Sequence, residues 1–255
     1  MQIVTLTTDF GNKDYYAAML KGAMLCQNAA LNLIDISNEI PKYDLVRAAF
    51  VLKNAWQSFP DNTIHIITVN DLPQGSHKFL VTYYQKHYFI GPNNGIFSLL
   101  FEEMPTEVYE LTFEGNSSFP LVEIMAQAVN YISKEYDFSK IGRPAENLLQ
   151  RLTLHPVISP IQLRGSVIYV DDYENVVVNI HRELFEQVRN GRDFKLYFKR
   201  NNPLTKISEF YFDVPVGEPF CRFNTTNYLE IAVNMGKASS LFNLKLDDTI
   251  QIDFS

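Results

Sequence analysis

Two carboxylates flank a glycine in the segment Thr7-Thr8-Asp9-Phe10-Gly11-Asn12-Lys13-Asp14, where a short apolar run gives way to helical spacing. A carboxylate accepts charge-assisted hydrogen bonds and attracts cations, so two of them at such a turn suit a polar ligand bearing hydroxyl or ammonium groups. Each also has a purely structural use: Asp14 as the cap of a helix, Asp9 as the tie of a turn.

The elements that would position this pair can be read from hydrophobic periodicity. Residues 3–6 are apolar and β-branched, as a buried parallel strand is, and residues 15–26 switch to helical spacing with Gly11 marking the turn. In a doubly wound sheet the loops at the carboxyl ends of the strands face the ligand crevice; Asp9 would point there and Asp14 would sit near a helix start, where negative charge is favoured.

The alternation continues through about residue 150, with a helix from 14, a strand at 31–36, a helix at 44–56, a strand at 64–69, a hairpin of 79–84 and 87–90, a helical run at 96–102, a strand at 108–111 and a helix at 121–134. This order predicts an α/β domain over 1–154 with a mainly parallel sheet. Two prolines interrupt the pattern at Leu154-His155-Pro156-Val157-Ile158-Ser159-Pro160, and short strands follow at 162–171, 176–180, 193–198, 209–212, 228–233 and 249–254, with helical pieces at 183–189 and 237–242. That spacing predicts an all-β, barrel-like domain over 161–255.

Composition narrows the function classes. With 255 residues, 46% apolar content and only 12 prolines and 11 glycines, the chain is globular rather than fibrous or low-complexity. A formal charge of −7, with no basic cluster beyond Lys199-Arg200, gives a nucleic-acid partner little support and favours a small cationic or neutral ligand. Cys26 and Cys221 have no partners at metal or redox spacing. No apolar stretch reaches the roughly 18 residues of a membrane span, and the amino terminus runs straight into a strand, so the chain is expected to be soluble and cytoplasmic.

Further segments share an order and spacing with one known group. After the opening TTDFG come Asp35-Ile36-Ser37-Asn38-Glu39-Ile40-Pro41-Lys42-Tyr43-Asp44, Ala48-Ala49-Phe50, Phe59-Pro60 with Thr63-Ile64-His65, Pro92-Asn93-Asn94-Gly95 and Ile141-Gly142-Arg143-Pro144. Later come Val170-Asp171-Asp172-Tyr173-Glu174-Asn175-Val176-Val177-Val178-Asn179-Ile180 and Asn224-Thr225-Thr226-Asn227-Tyr228-Leu229-Glu230-Ile231-Ala232-Val233-Asn234. Together they resemble the S-adenosylmethionine hydroxide adenosyltransferase family, relatives of the fluorinases and chlorinases, over nearly the whole chain. The resemblance implies an α/β domain followed by a β-barrel, a homotrimer whose ligand sites use a neighbouring subunit's second domain, S-adenosylmethionine as substrate with attack at ribose C5′, and neither metal nor separate cofactor.

It also implies roles for individual residues. Asp9 would accept both hydroxyls of the ribose, and Asp14 would meet the amino-acid end of the substrate. Asn175, whose amide supplies a donor and an acceptor, would read the adenine edge. Tyr43 would stack near sugar or base, with Tyr211 or Phe212 as a second aromatic face. Thr225, Thr226 and Asn227 lie where relatives hold the methionine carboxylate, although an arginine found in some relatives is missing. The hydrolases' water-handling set of Asp, Arg and His is altered: the Asp falls on Asn70 or Asp71, the Arg on His77 or Lys78, and the His near Pro120, which cannot transfer a proton. His65, His87, His155 and His181 read as structural. Three uses stay open: hydrolysis of S-adenosylmethionine, non-catalytic binding of an adenosyl compound, and halide transfer, which the Asn70–Lys78 loop favours least.

Overall fold

The computed structural model describes residues 1–71, 78–112, 119–151, 155–199 and 202–255. They divide into two compact units, Met1–Leu152 and Thr153–Ser255.

The first unit is built on a seven-stranded sheet. Its strands are β1 (Ile3–Thr8), β2 (Asn32–Ser37), β3 (Ile64–Thr68), β4 (Phe79–Tyr84), β5 (His87–Pro92), β6 (Val108–Leu111) and β7 (Arg143–Pro144), and they lie in the order β2-β1-β3-β5-β4-β6-β7. β1 runs parallel to β2 and β3, and β3 parallel to β5, whereas β4 inserts antiparallel as the partner of a hairpin. That hairpin turns at Gln85 and Lys86 with φ of 45° and 68°, the left-handed pair that a two-residue connection needs to match strand twist.

Apolar residues on both faces of β1 and β3 require cover on both sides. Helices α1 (Tyr16–Gln27) and α4 (Pro120–Ser133) close one face over Val4, Leu6, Ile64 and Ile66. Helices α2 (Leu45–Lys53) and α3 (Ile96–Leu100) close the other over Ile67, Val69 and Phe89. Asp44 caps α2 by accepting from the Arg47 N–H at 2.9 Å. Pro120 occupies the first turn of α4, where a residue without an N–H loses nothing. The chain leaves β1 for β2 and then crosses back to β3 on the other side of β1, so the connections diverge between β1 and β3. An open α/β sheet has its ligand crevice at that switch, beyond the carboxyl ends of the strands.

The second unit is an antiparallel sheet of β8 (Val157–Ser159), β9 (Gln162–Val170), β10 (Val176–His181), β11 (Phe194–Tyr197), β12 (Pro219–Phe223), β13 (Tyr228–Val233) and β14 (Thr249–Phe254). Its order is β11-β14-β9-β10-β13-β12, with β8 beside β9. The long β9 pairs with β14 through residues 162–166 and with β10 through 167–170, which curls the sheet around an apolar interior that includes Phe185 of α5 (Arg182–Arg189). The edges β11 and β12 do not pair; single bridges Leu196–Leu204 and Ile207–Cys221 tie both to one intervening segment, giving a half-barrel. A last short helix, α6 (Ala238–Phe242), precedes β14.

Three sequence expectations change here. Residues 209–212 are not a strand: the Asp213 carboxylate accepts the Glu209 and Phe210 N–H groups at 2.8 and 2.9 Å and winds Tyr211–Asp213 into a single 3₁₀ turn. β12, opened by a proline, was not anticipated at all. The first helix begins at Tyr16 rather than at 14. Among the described residues no helix is long and apolar enough to cross a membrane.

Candidate functional site

In the first unit the polar residues gather where the fold opens, at the carboxyl ends of β1, β2, β3 and β5. Asp9 directly follows β1 and is only 7% exposed. Its Oδ2 accepts main-chain N–H groups from both flanking loops, Tyr43 after β2 at 3.0 Å and Asn70 after β3 at 3.3 Å. Its Oδ1 takes no hydrogen bond among the described residues, so one half of the carboxylate fixes the side chain and the other half is unused. Lys42 Nζ donates to the Asp9 carbonyl oxygen.

The loop that carries Asp9 is held by a polar lattice. Gly11, at φ 76°, makes the turn in a conformation that a side chain would strain. Its N–H donates to the Asn38 carbonyl at 2.7 Å. The buried Asn38 amide accepts from Thr8 Oγ1 at 3.0 Å and donates to Asn12 Oδ1 at 3.3 Å, while Glu39 accepts from the Asn12 main chain and side chain at 3.0 and 2.8 Å. On the other side of Asp9, Asn94 Nδ2 donates to the carbonyls of Val69 and Asn70 at 2.9 and 2.8 Å and its Oδ1 accepts from the Ile96 N–H at 3.1 Å. Asn94 thereby holds Asn70 at φ 50°, the turn that aims its N–H at Asp9.

The residues expected from sequence fare differently. Asp14 is exposed and supplies no cap to α1, whose N-cap is Tyr15 without a side-chain bond; its carboxylate is free among the described residues. Tyr43 donates its N–H to Asp9, and its ring is 71% exposed on a backbone at φ 66°. Asp71 follows Asn70 at a half-buried position at the end of β3. His77 lies outside the described residues. Lys78 precedes β4 and pairs with Glu110 at 2.9 Å; β4 is the third strand from β1, about 14 Å away at ordinary strand spacing.

The histidines on β3 and β5 belong to the packing. Thr5 Oγ1 bonds His65 Nδ1 at 2.7 Å, and His65 Nε2 bonds His87 Nδ1 at 3.1 Å. Burial drives the His65 imidazole down to about 3, with the neighbouring His87 adding to the shift, so it is neutral.

The second unit holds its own cluster. Asn175 precedes β10, with its main-chain N–H and its Nδ2 on the two oxygens of Asp171 at 2.8 and 3.0 Å, and Nδ2 also on Tyr211 Oη at 3.4 Å. Tyr211 donates to Glu230 Oε1 at 2.8 Å, Arg222 lies over its ring at 4.8 Å, and Phe220 meets it edge-on at 5.4 Å. Glu230 is 5% exposed, and burial raises its carboxyl, opposed by the Tyr211 hydrogen bond and by Arg222. Burial also raises the Tyr211 hydroxyl, and Glu230 adds to that shift. Asn175 and Tyr211 line a cleft of about 1180 Å³ with Val233, Met235 and Leu241 among its walls. The stacked, exposed Phe210 and Phe212 lie either side of Tyr211 in sequence.

Thr225, Thr226 and Asn227 form the tight β12–β13 turn, where Asn224 Oδ1 accepts the N–H of Thr226 and of Tyr228, each at 3.0 Å. The β10–β13 ladder runs from Val176 opposite Ile231 to His181 opposite Tyr228, so this turn lies about 16 Å from Asn175, at the other end of the ladder. Asn38, Asn94, Asp171 and Glu230 all shape the two clusters, yet sequence showed them only as parts of longer motifs. Among the described residues no group of three or more His, Cys, Asp or Glu side chains is placed to hold a metal.

Comparison with known proteins agrees over both units. The model of the SAM hydroxide adenosyltransferase N-terminal domain matches residues 4–142, and that of the C-terminal domain matches residues 165–251. The chain is 26% identical to a protein of Methanocaldococcus jannaschii named (R)-S-adenosyl-L-methionine hydrolase, covering 99% of this chain and 96% of the other. It is 22% identical to a fluorinase of Actinoplanes sp., covering 98% and 97%. A crystal structure of an uncharacterized conserved protein from Thermotoga maritima superposes with a TM-score of 0.86 at 25% identity, covering 99% and 100%.

Proposed function

The chain belongs to the SAM hydroxide adenosyltransferase family, and we propose from that premise that it hydrolyses S-adenosyl-L-methionine to adenosine and L-methionine. The observation that carries this reading is the half-used Asp9 carboxylate, locked by two main-chain donors on one oxygen and open on the other. An open carboxylate oxygen suits a vicinal diol, because it accepts from both hydroxyls at once.

In this reading Asp9 holds the ribose, while the second domain of a neighbouring subunit brings Asn175 to the base and Tyr211 as an aromatic face. The free carboxylate of Asp14 attracts the substrate ammonium group, and the turn of Thr225, Thr226 and Asn227 takes the methionine carboxylate. Water attacks C5′ in line, the C5′–S bond breaks, its electron pair returns to sulfur as the thioether of methionine, and the proton of the attacking water passes to Asp71 or to solvent. The sulfonium is already a good leaving group, so the protein's main work is alignment, which can lower a barrier by as much as about 7–11 kcal/mol. Pro120 starts α4 and takes no part in proton transfer. No separate cofactor is required, and assembly as a homotrimer belongs to the same proposal, tested by light scattering.

Incubation with S-adenosyl-L-methionine in ¹⁸O water tests the reaction. The expected result is adenosine and methionine in equal amounts, with the label on the adenosine 5′ oxygen. Adenosine no higher than the blank, with calorimetry showing that the substrate binds, would leave a non-catalytic binder instead.

A further inference from the structure

We infer that Arg151 is a positioning residue for the Asp9 site: it seats the Asn93-Asn94-Gly95 turn, and that turn fixes the main-chain donor that aims the Asp9 carboxylate. The inference rests on the reading of Asp9 as the group that grips the ribose diol and extends it to a residue at the far end of the first unit.

Alternate residues of the stretch after β7 meet three successive residues of the turn after β5. The Asn147 carbonyl accepts from Asn93 Nδ2 at 3.2 Å and the Leu149 N–H donates to Asn93 Oδ1 at 3.0 Å, so both ends of one buried amide are held by the same stretch. Arg151 then secures the rest of the turn. Its Nε–H donates to the Asn94 carbonyl at 3.0 Å, a bond strengthened by the guanidinium charge. Its main-chain N–H donates to Ser98 Oγ at 2.8 Å, and that hydroxyl gives its own proton to the Gly95 carbonyl at 2.8 Å. The arginine stem lies against Gly95, where an added methyl group would stand 2.6 Å from Cγ and 3.2 Å from Cδ. Glycine is required there twice over, since its φ is also 93°.

The turn clamped in this way controls Asp9. The Asn94 side chain donates to the carbonyls of Val69 and Asn70 at 2.9 and 2.8 Å, and the Asn70 N–H donates to Asp9 Oδ2 at 3.3 Å. Arg151 therefore holds the main chain of Asn94, Asn94 holds that of Asn70, and Asn70 holds the carboxylate. The last link is the longest of the chain and the first to open when the turn shifts. A carboxylate released on that side turns away from the direction in which it meets the diol.

The test is Arg151→Met, which keeps an unbranched stem beside Gly95 and removes the Nε–H. Calorimetric titration of the full chain with adenosine and with 2′,3′-dideoxyadenosine separates aim from general damage. Adenosine should bind about tenfold more weakly than to wild type and the dideoxy compound within about twofold, whereas a general structural defect weakens both. With S-adenosyl-L-methionine, KM should rise about tenfold while kcat stays within about threefold, as expected for lost ground-state binding. Arg151→Lys keeps the charge but puts a carbon where Nε stands, so it should behave as Arg151→Met does. Wild-type affinity in the lysine variant overturns the inference, because charge and not the bond to Asn94 would then be what position 151 provides. Hydrogen exchange read by mass spectrometry needs no ligand: residues 69–71 should exchange faster in Arg151→Met and residues 3–6 as in wild type. A folded Arg151→Met that binds adenosine within about twofold of wild type, or leaves exchange at 69–71 unchanged, overturns the inference. Ser98→Ala, which removes the acceptor of the Arg151 N–H, carries the same measurements if Arg151→Met does not fold. The underlying reading of Asp9 fails separately, if the wild type binds the dideoxy compound as tightly as adenosine.

Discussion

Replacing Asp9 with asparagine separates what this side chain does for the fold from what it does for a substrate. The Asp9 Oδ2 accepts the Tyr43 and Asn70 N–H groups at 3.0 and 3.3 Å. An amide oxygen at that position keeps both bonds, so Asp9→Asn should retain stability to within about 1 kcal/mol. The other end then becomes an NH₂ group, which cannot accept from the ribose hydroxyls. Hydrogen bonds to a charged group contribute about 1.5–3 kcal/mol each, so losing two costs about 3–6 kcal/mol, or roughly 10²- to 10⁴-fold in kcat/KM. Asp9→Ala removes the same contacts and also strands two main-chain N–H groups, at about 1–3 kcal/mol each, so its Tm should fall as well. The assay is chromatographic adenosine release over a range of substrate concentrations, paired with thermal unfolding of each variant. If Asp9→Asn keeps kcat/KM within tenfold of wild type while folded, Asp9 does not hold the diol.

Other perturbations test the surroundings. His65 is neutral in the fold at about 3 against 6.5 when unfolded, so the unfolded chain takes up the extra proton and stability falls as pH drops from about 6.5 towards 3. The loss reaches about 2 kcal/mol at pH 5, and burial depresses His87 in the same direction. Denaturant unfolding of wild type and His65→Gln at pH 7 and pH 5 should show a shallower slope in the variant, and equal slopes would refute the assignment. Asn94→Ala breaks three hydrogen bonds around the Asn70 turn, lowering stability by about 2–4 kcal/mol and raising KM; an unchanged KM would mean that the turn does not position Asp9. Lys78→Met removes an exposed pair with Glu110 and should leave kcat/KM within threefold, whereas a hundredfold loss would return Lys78 to the water-handling set.

How much of this was legible in the sequence depended on how local the cause was. β1, the Gly11 turn and the start of α2 near Asp44 depend on neighbours a few residues apart, and periodicity and turn chemistry exposed the outline of each. The 3₁₀ turn at Tyr211–Asp213 was misread because its aromatic residues look like strand, while the deciding carboxylate, Asp213, lies just beyond the run. Ties between loops were hidden for a different reason. Asn38 and Asn12 are 26 residues apart and Asn94 and Asn70 are 24 apart, so only the sheet order brings them together.

The part of Asp9's setting that no side-chain pattern reveals is its pair of donors, since both are main-chain N–H groups that almost any residue at 43 or 70 supplies. What those positions require is a backbone shape: φ is 66° at Tyr43 and 50° at Asn70. An exposed tyrosine ring and a left-handed backbone therefore carry separate information. A site whose anchors are backbone groups at strand ends survives wide side-chain change, provided that the sheet order and the few amides pinning the loops are kept. Tyr43→Ala should therefore keep the Asp9 hydrogen bond and leave Tm within a few degrees of wild type. Tyr43→Pro, which has no N–H and cannot adopt a positive φ, should lower stability and kcat/KM together. If the alanine variant were the more damaging of the two, the ring, not the backbone, would be what that loop provides.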